Sequence, residues 1–138
     1  MSLLGIDFGA RRIGVAVSAS GFLATPHSVI DNRGDLEGVL EEIRRLAEEL
    51  DAERIVLGIP RRERKDQALE EKFAALAEAI RQKTGVDVVL WDEAYSTTEA
   101  DSRRRERGER RNRRKMSIDM EAAAVILQAY LDQNGRAS

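Results

Sequence analysis

Leu3-Leu4-Gly5-Ile6-Asp7-Phe8-Gly9-Ala10-Arg11-Arg12-Ile13-Gly14-Val15-Ala16-Val17 sets how the chain begins and what can be built around it. Leu3, Leu4 and Ile6 are apolar and lead into Asp7, and Gly9-Ala10-Arg11-Arg12 has the composition of a turn. Ile13, Val15 and Val17 then alternate with small residues, the period-two mark of a strand. Two strands so close in sequence pair as an antiparallel hairpin. A third is expected over Phe22–Ile30, where Pro26 demands an edge or an irregularity. Asp31-Asn32-Arg33-Gly34 reads as a loop.

The pattern then changes. Leu36, Val39, Leu40, Ile43, Leu46, Ala47 and Leu50 recur at three- and four-residue steps behind Asp35, a good N-cap. Ile55-Val56-Leu57, ended by Gly58-Ile59-Pro60, is a short apolar run of the kind found in a buried strand. Leu69, Phe73, Leu76, Ala77 and Ile80 predict a second helix that ends near Gly85, and Val86–Trp91 another buried strand. Ser96 with Glu99 forms a capping box that opens a helix into a basic stretch. Ser117 is expected to cap a last helix, apolar from Ile118 to Leu131. Helix–strand alternation requires parallel crossovers. The expected fold is therefore α/β: a mixed five-stranded sheet, three antiparallel strands followed by parallel crossovers, with helices on both faces. The ribonuclease H fold has this architecture, and so do others.

The 138 residues fit one domain, 1–138. Apolar residues make up 42%, too many for a disordered chain, and aromatics only 4%, so the core is aliphatic. No cysteine is present and only one histidine, His27, which removes disulfides, thiolate metal sites, Cys nucleophiles and His-rich zinc sites. No apolar run approaches the roughly 18 residues of a membrane span, and the first residues show no basic stretch followed by an apolar run and a cleavage site. A soluble cytoplasmic protein with no membrane partner is expected. The net charge of −2 conceals nine basic and two acidic residues between Arg103 and Lys115. A basic segment on an otherwise acidic body suits a polyanion, nucleic acid first; a solvated charge run is the alternative.

The chemistry must come from carboxylates. Asp7 ends an apolar strand, Asp92 and Glu93 end another, and Asp119 lies on or beside the apolar stripe of Ala122, Ala123, Ile126 and Tyr130. A carboxylate aimed at a core is costly unless paired or bound to a cation. Each has a plainer explanation: bonds to turn amides for Asp7, a loop or cap for Asp92 or Glu93, the helix dipole for Asp119. Together, at element ends, they suit a hard cation, Mg²⁺ or Mn²⁺, and phosphodiester hydrolysis. Arg11 and Arg12 after Asp7, and Arg61, Arg62, Arg64 and Lys65 after Pro60, are placed to hold backbone phosphates.

The opening motif, with Val56-Leu57-Gly58-Ile59-Pro60, Trp91-Asp92-Glu93 followed by Ser96-Thr97, and Ser117-Ile118-Asp119 followed by Ala122-Ala123 and Ile126–Leu131, resembles the YqgF (RuvX-type) family over nearly the whole chain. Those are ribonuclease H-like proteins described as Holliday junction resolvases and, in bacteria, as pre-16S rRNA nucleases. The resemblance implies a nuclease of two-metal-ion type, with Asp7, Glu93 and Asp119 as catalytic acids and ligands of Mg²⁺ or Mn²⁺. RNA is the favoured substrate. Branched DNA cut by a homodimer is the alternative, and a non-catalytic nucleic-acid-binding module a third. Arg110, Arg111, Arg113, Arg114 and Lys115 join the arginines above as expected nucleic-acid contacts. Ala94 stands where the family usually has arginine, and the loop after Pro60 lacks the usual glycine. Gly5–Gly9 also resembles the first phosphate motif of actin-like ATPases, but those need far more chain.

Overall fold

The computed structural model describes residues 2–59, 67–92 and 112–134, with side chains in the last helix from Ile118 onward. The elements run β1 (Ser2–Phe8), β2 (Arg12–Ser18), β3 (Thr25–Asp31), α1 (Leu36–Glu49), β4 (Ala52–Ile59), α2 (Gln67–Thr84), β5 (Asp87–Asp92) and α3 (Asn112–Asn134). The strands form one sheet in the order β3-β2-β1-β4-β5. β1–β2 and β2–β3 are antiparallel, and β1–β4 and β4–β5 parallel. This is the mixed five-stranded sheet expected from the sequence. β3 is an edge strand, as Pro26 requires, and the register shifts between Val15 and Ala16, where Pro26 pairs.

Strand alternation sorts the side chains onto two faces. Leu4, Ile6, Ile13, Val15, Ile55, Leu57 and Val88 point to one face, which α1 and α2 cover with Val39, Leu40, Ile43, Leu46, Phe73, Leu76 and Ile80. Ala16 and Val56 point to the other, which α3 covers with Ala123, Ile126, Leu127, Tyr130 and Leu131. Helices therefore lie on both faces. Asp35 caps α1, its carboxylate accepting from the Gly38 amide at 3.3 Å. Gly85, at φ 73°, follows α2 in the left-handed conformation that glycine adopts without strain. Among the described residues no helix is long and apolar enough to cross a membrane.

Three boundaries differ from expectation. β3 begins at Thr25, not Phe22: Gly21 at φ 84° turns the chain, and Phe22 and Leu23 stay exposed. β4 continues through Gly58 and Ile59, because both still pair with β5 and Gly58 also pairs with β1. α3 starts at Asn112 rather than at Ser117. Arg, Lys and Met are good helix formers, and their propensity carries the helix back into the basic stretch despite the like charges. Ser117 is then an interior residue and not a cap. The capping box at Ser96, the acid Glu93, and the basic residues Arg61, Arg62, Arg64, Arg110 and Arg111 lie outside the described residues. Arg113, Arg114 and Lys115 belong to the first turns of α3, with side chains outside the description.

Candidate active site

Asp7 is the penultimate residue of β1, a central strand with neighbours on both sides. It follows Leu3 and Gly5 in the alternation, so it lies on the α3 face. Its register partners are Gly14 in β2 and Gly58 in β4. The sheet on either side of the Asp7 carboxylate is thus bare backbone. This lets α3 come down close. A Cβ on Gly5 would lie 2.7 Å from the Leu127 Cβ, and one on Gly58 would lie 2.6 Å from the Ile126 Cδ1. A Cβ on Gly14 would overlap the main-chain oxygen of Asp119 and lie 2.6 Å from its carbonyl carbon.

That last contact assembles the site. Asp119 is on the stripe of α3 that continues through Ala123, Ile126, Leu127 and Tyr130, and its backbone rests on the residue paired with Asp7. Two acids 112 positions apart in sequence are thereby placed on the same sheet face, Asp7 in β1 and the Asp119 main chain against the Gly14 that pairs with it. Further along, α3 is fixed by Tyr130, which packs edge-on against Trp91 with ring centres 5.6 Å apart. Arg54 donates to the Tyr130 hydroxyl at 2.7 Å. Gln128 accepts from the Ala24 amide and donates to the Phe22 carbonyl, both at 2.9 Å.

Arg12 stands two residues before Gly14 on the same face. Its Nε donates to the Asp119 Oδ2 at 2.7 Å, and the two side chains are 25% and 24% exposed. The sequence suggests Arg12 as a phosphate contact; the structure pairs it with Asp119, a candidate acid. Arg11 is exposed in the turn. The turn is closed by the Gly9 amide on the Arg12 carbonyl at 3.1 Å. Asn32 ties it to β3, its amide donating to the Arg11 carbonyl at 2.8 Å and its Nδ2 to the Gly9 carbonyl at 2.9 Å. The sequence marks Asn32 only as part of a loop. Its signal was its place just past the strand that pairs with β2.

Asp92 goes the other way. It pairs with Ile59, and with Val88 it belongs to the face that α1 and α2 cover. It is therefore not on the face that carries Asp7 and Asp119. Among the described residues no group of three or more Asp, Glu, His or Cys side chains could hold a metal ion; Asp7 and Asp119 are the described members of the expected set.

A mixed β3-β2-β1-β4-β5 sheet with α1 and α2 on one face and α3 on the other, acids at one end, is a ribonuclease H-like domain. The chain belongs to the RuvX family, described as Holliday junction resolvase, which it matches over residues 1–133. This is a nuclease family. A protein of Agathobacter rectalis named "Putative pre-16S rRNA nuclease" is 36% identical over 136 residues, covering 96% of this chain and 95% of its own. One of the same name from Acetivibrio thermocellus is 34% identical over 139 residues, covering 99% of both. Among solved structures, T. thermophilus RuvC in complex with Holliday junction substrate aligns with a TM-score of 0.61 at 16% identity, over 97% of this chain and 96% of that one. The fowlpox virus resolvase bound to Holliday junction DNA aligns at 0.55 and 9% identity, over 96% and 98%. At such identities the likeness is one of fold.

Proposed function

We propose that the protein is a divalent-metal-dependent nuclease that cuts precursor ribosomal RNA in the cytoplasm. The observation that carries this reading is the placement of Asp7 and Asp119 on one sheet face, the Asp119 main chain resting on Gly14, the register partner of Asp7. The donors there are carboxylate oxygens with no imidazole or thiolate, a set that fits a hard cation. Asp7 and Asp119 would hold Mg²⁺ or Mn²⁺, with Glu93 as the third acid, since Asp92 faces away. Two such ions, held there by these acids, would supply a more acidic water and charge to offset that on the phosphate oxygens. The chain's own part is positional. β1 fixes Asp7 between two paired strands, and α3 sets the Asp119 main chain on Gly14, the β2 residue that pairs with Asp7. The Asn32-tied turn presents Arg11 to the substrate backbone, where its charge holds phosphate without reading sequence. Arg61, Arg62, Arg64, Arg110, Arg111, Arg113, Arg114 and Lys115 extend that grip. Binding should accordingly weaken with salt by about 0.7 log units per tenfold salt for each single-strand phosphate neutralised.

RNA is favoured because the close relatives carry an rRNA-nuclease name over matching lengths. The family description favours a second reading, a four-way DNA junction, which needs a two-fold dimer to cut strands symmetrically. The test is cleavage of precursor rRNA fragments, single-stranded DNA and four-way junctions in Mg²⁺, Mn²⁺ and EDTA, with solution mass measured alongside. Metal-dependent RNA cutting by a monomer is expected. Paired junction nicks by a dimer would replace it with the second reading, and cutting undiminished in EDTA would end the metal-dependent one.

A further inference from the structure

We infer that Arg12 is a latch on the metal seat: its guanidinium occupies Asp119 in the free enzyme and leaves it when a cation and a substrate phosphate arrive. The inference rests on the reading of Asp119 as a metal ligand. Three observations carry it. The Arg12–Asp119 bond is a direct one, 2.7 Å from Nε to Oδ2, between residues 107 positions apart. The backbone beneath Arg12 is held fast by the Gly9 amide and by Asn32, so any movement belongs to the side chain. Both partners are about one-quarter exposed, open enough for a cation to reach the carboxylate and for the guanidinium to turn toward solvent.

The charges determine the direction of the effect. A guanidinium on Asp119 competes with a divalent ion for the same oxygen and repels it. A nucleic-acid phosphate offers that guanidinium another anion, matched to its planar fork. Arg12 therefore couples the two ligands: substrate draws the latch off and the seat opens. The coupling discourages metal loading in the absence of substrate. Arg12 in this role is a positioning residue for the site acid. A merely structural brace would behave in the opposite way, because its removal would loosen Asp119 and weaken metal binding.

The experiment is a Mn²⁺ titration of the full chain without nucleic acid, followed by paramagnetic resonance of free Mn²⁺, on the wild type and on Arg12→Gln, Arg12→Lys and Asp119→Asn. Arg12→Gln should bind Mn²⁺ about five- to tenfold tighter, the low end of typical coupling because the pair is partly solvated. Arg12→Lys, which keeps the charge, should stay near the wild type. A second readout is RNA affinity in EDTA, where nothing is cut. Asp119→Asn should tighten RNA binding more in the presence of Arg12 than in an Arg12→Gln background, a coupling that a double-mutant cycle isolates. Unchanged or weaker Mn²⁺ binding in Arg12→Gln overturns the latch. If Asp119→Asn binds Mn²⁺ like the wild type, or neither the wild type nor Arg12→Gln binds any, the metal-site reading itself falls and the latch with it. Loss of binding in Asp119→Asn with no gain in Arg12→Gln defeats the latch alone.

Discussion

The sheet is packed by bulk on one face and by closeness on the other. Toward α1 and α2 it presents Leu4, Ile6, Ile13, Val15, Ile55 and Leu57, all fully buried under large aliphatic helix residues. Toward α3 it presents Gly5, Gly14 and Gly58, and the helix sits so close that none of the three has room for a Cβ. The first face gains stability in proportion to apolar area and can absorb small changes by repacking. The second brings helix backbone against strand backbone at Gly14, where nothing flexible can give, and at Gly5, while over Gly58 the Ile126 side chain fills the space. Both candidate acids are on the second face. Rigid placement belongs where carboxylates must meet, and plain burial where the fold only has to be held.

The largest expected effect separates the faces by chemistry alone. Asp7→Asn should abolish detectable cleavage, because a neutral amide keeps the shape and loses the anionic ligand. Its melting temperature should change little, since Asn is nearly the same size and shape as Asp and keeps the packing. Asp92→Asn, on the α1/α2 face, should stay within a few-fold of wild-type cleavage. Cleavage and thermal melts of both variants check this. A dead Asp92→Asn beside an active Asp7→Asn would put the site on the wrong face.

Next comes a pair of packing changes of opposite kind. Gly14→Ala adds one methyl group where the Asp119 main chain lies. Overpacking costs about 1–3 kcal/mol, and shifting Asp119 by an ångström costs activity by about 10²-fold. Ile43→Ala removes a buried side chain from α1 and should cost about 2–5 kcal/mol. Its cleavage per folded molecule should nevertheless match the wild type. Urea melts and initial rates well below the melting transition measure both. The contrast fails if Ile43→Ala slows the folded enzyme as much as Gly14→Ala does.

Much of this was legible in the sequence, and the exceptions have physical reasons. α1 was readable from its apolar period and its Asp35 cap, both local. Asp7 was readable as an acid at a strand end, and Asp119 as an acid on the stripe that runs to Tyr130. Glycines inside strands are a known mark of close backbone approach, so Gly5, Gly14 and Gly58 could have announced the tight helix, but not which helix would fill the space. The Arg12–Asp119 bond was not readable. It depends on how α3 crosses β2, a tertiary matter between residues at opposite ends of the chain. The start of α3 is hidden in the sequence because Ser117 is a favourable capping residue, while the run of good helix formers before it extends the helix to Asn112.

The smallest effect returns to ion pairs, where the same chemistry gives different results on the two faces. On the outer surface of α1, Arg44 donates to Glu41 through Nε and to Glu48 through Nη1, each at 2.8 Å. These are contacts within a single helix, open to water, and of a kind that contributes little. The Arg44 hydrogen bond holds the Glu41 carboxyl below its ordinary value of 4.5. A lowered carboxylate pKa favours the fold above the unfolded value, and the benefit is lost as pH falls through the lowered one. Arg44→Ala should therefore lower the melting temperature by less than about 2 °C at pH 7. The difference should shrink once the pH drops below 4.5 and again in 1 M salt, where screening reaches about 3 Å. Cleavage should not change. Arg12 and Asp119 join two elements from distant parts of the chain and are only a quarter exposed, so Arg12→Gln should change ligand binding at any salt the site tolerates. Melts of Arg44→Ala at two pH values and two salt concentrations, beside Arg12→Gln, test whether an ion pair's surroundings set what it does. A larger and salt-insensitive loss in Arg44→Ala would show that the α1 ladder is more than a solvated face.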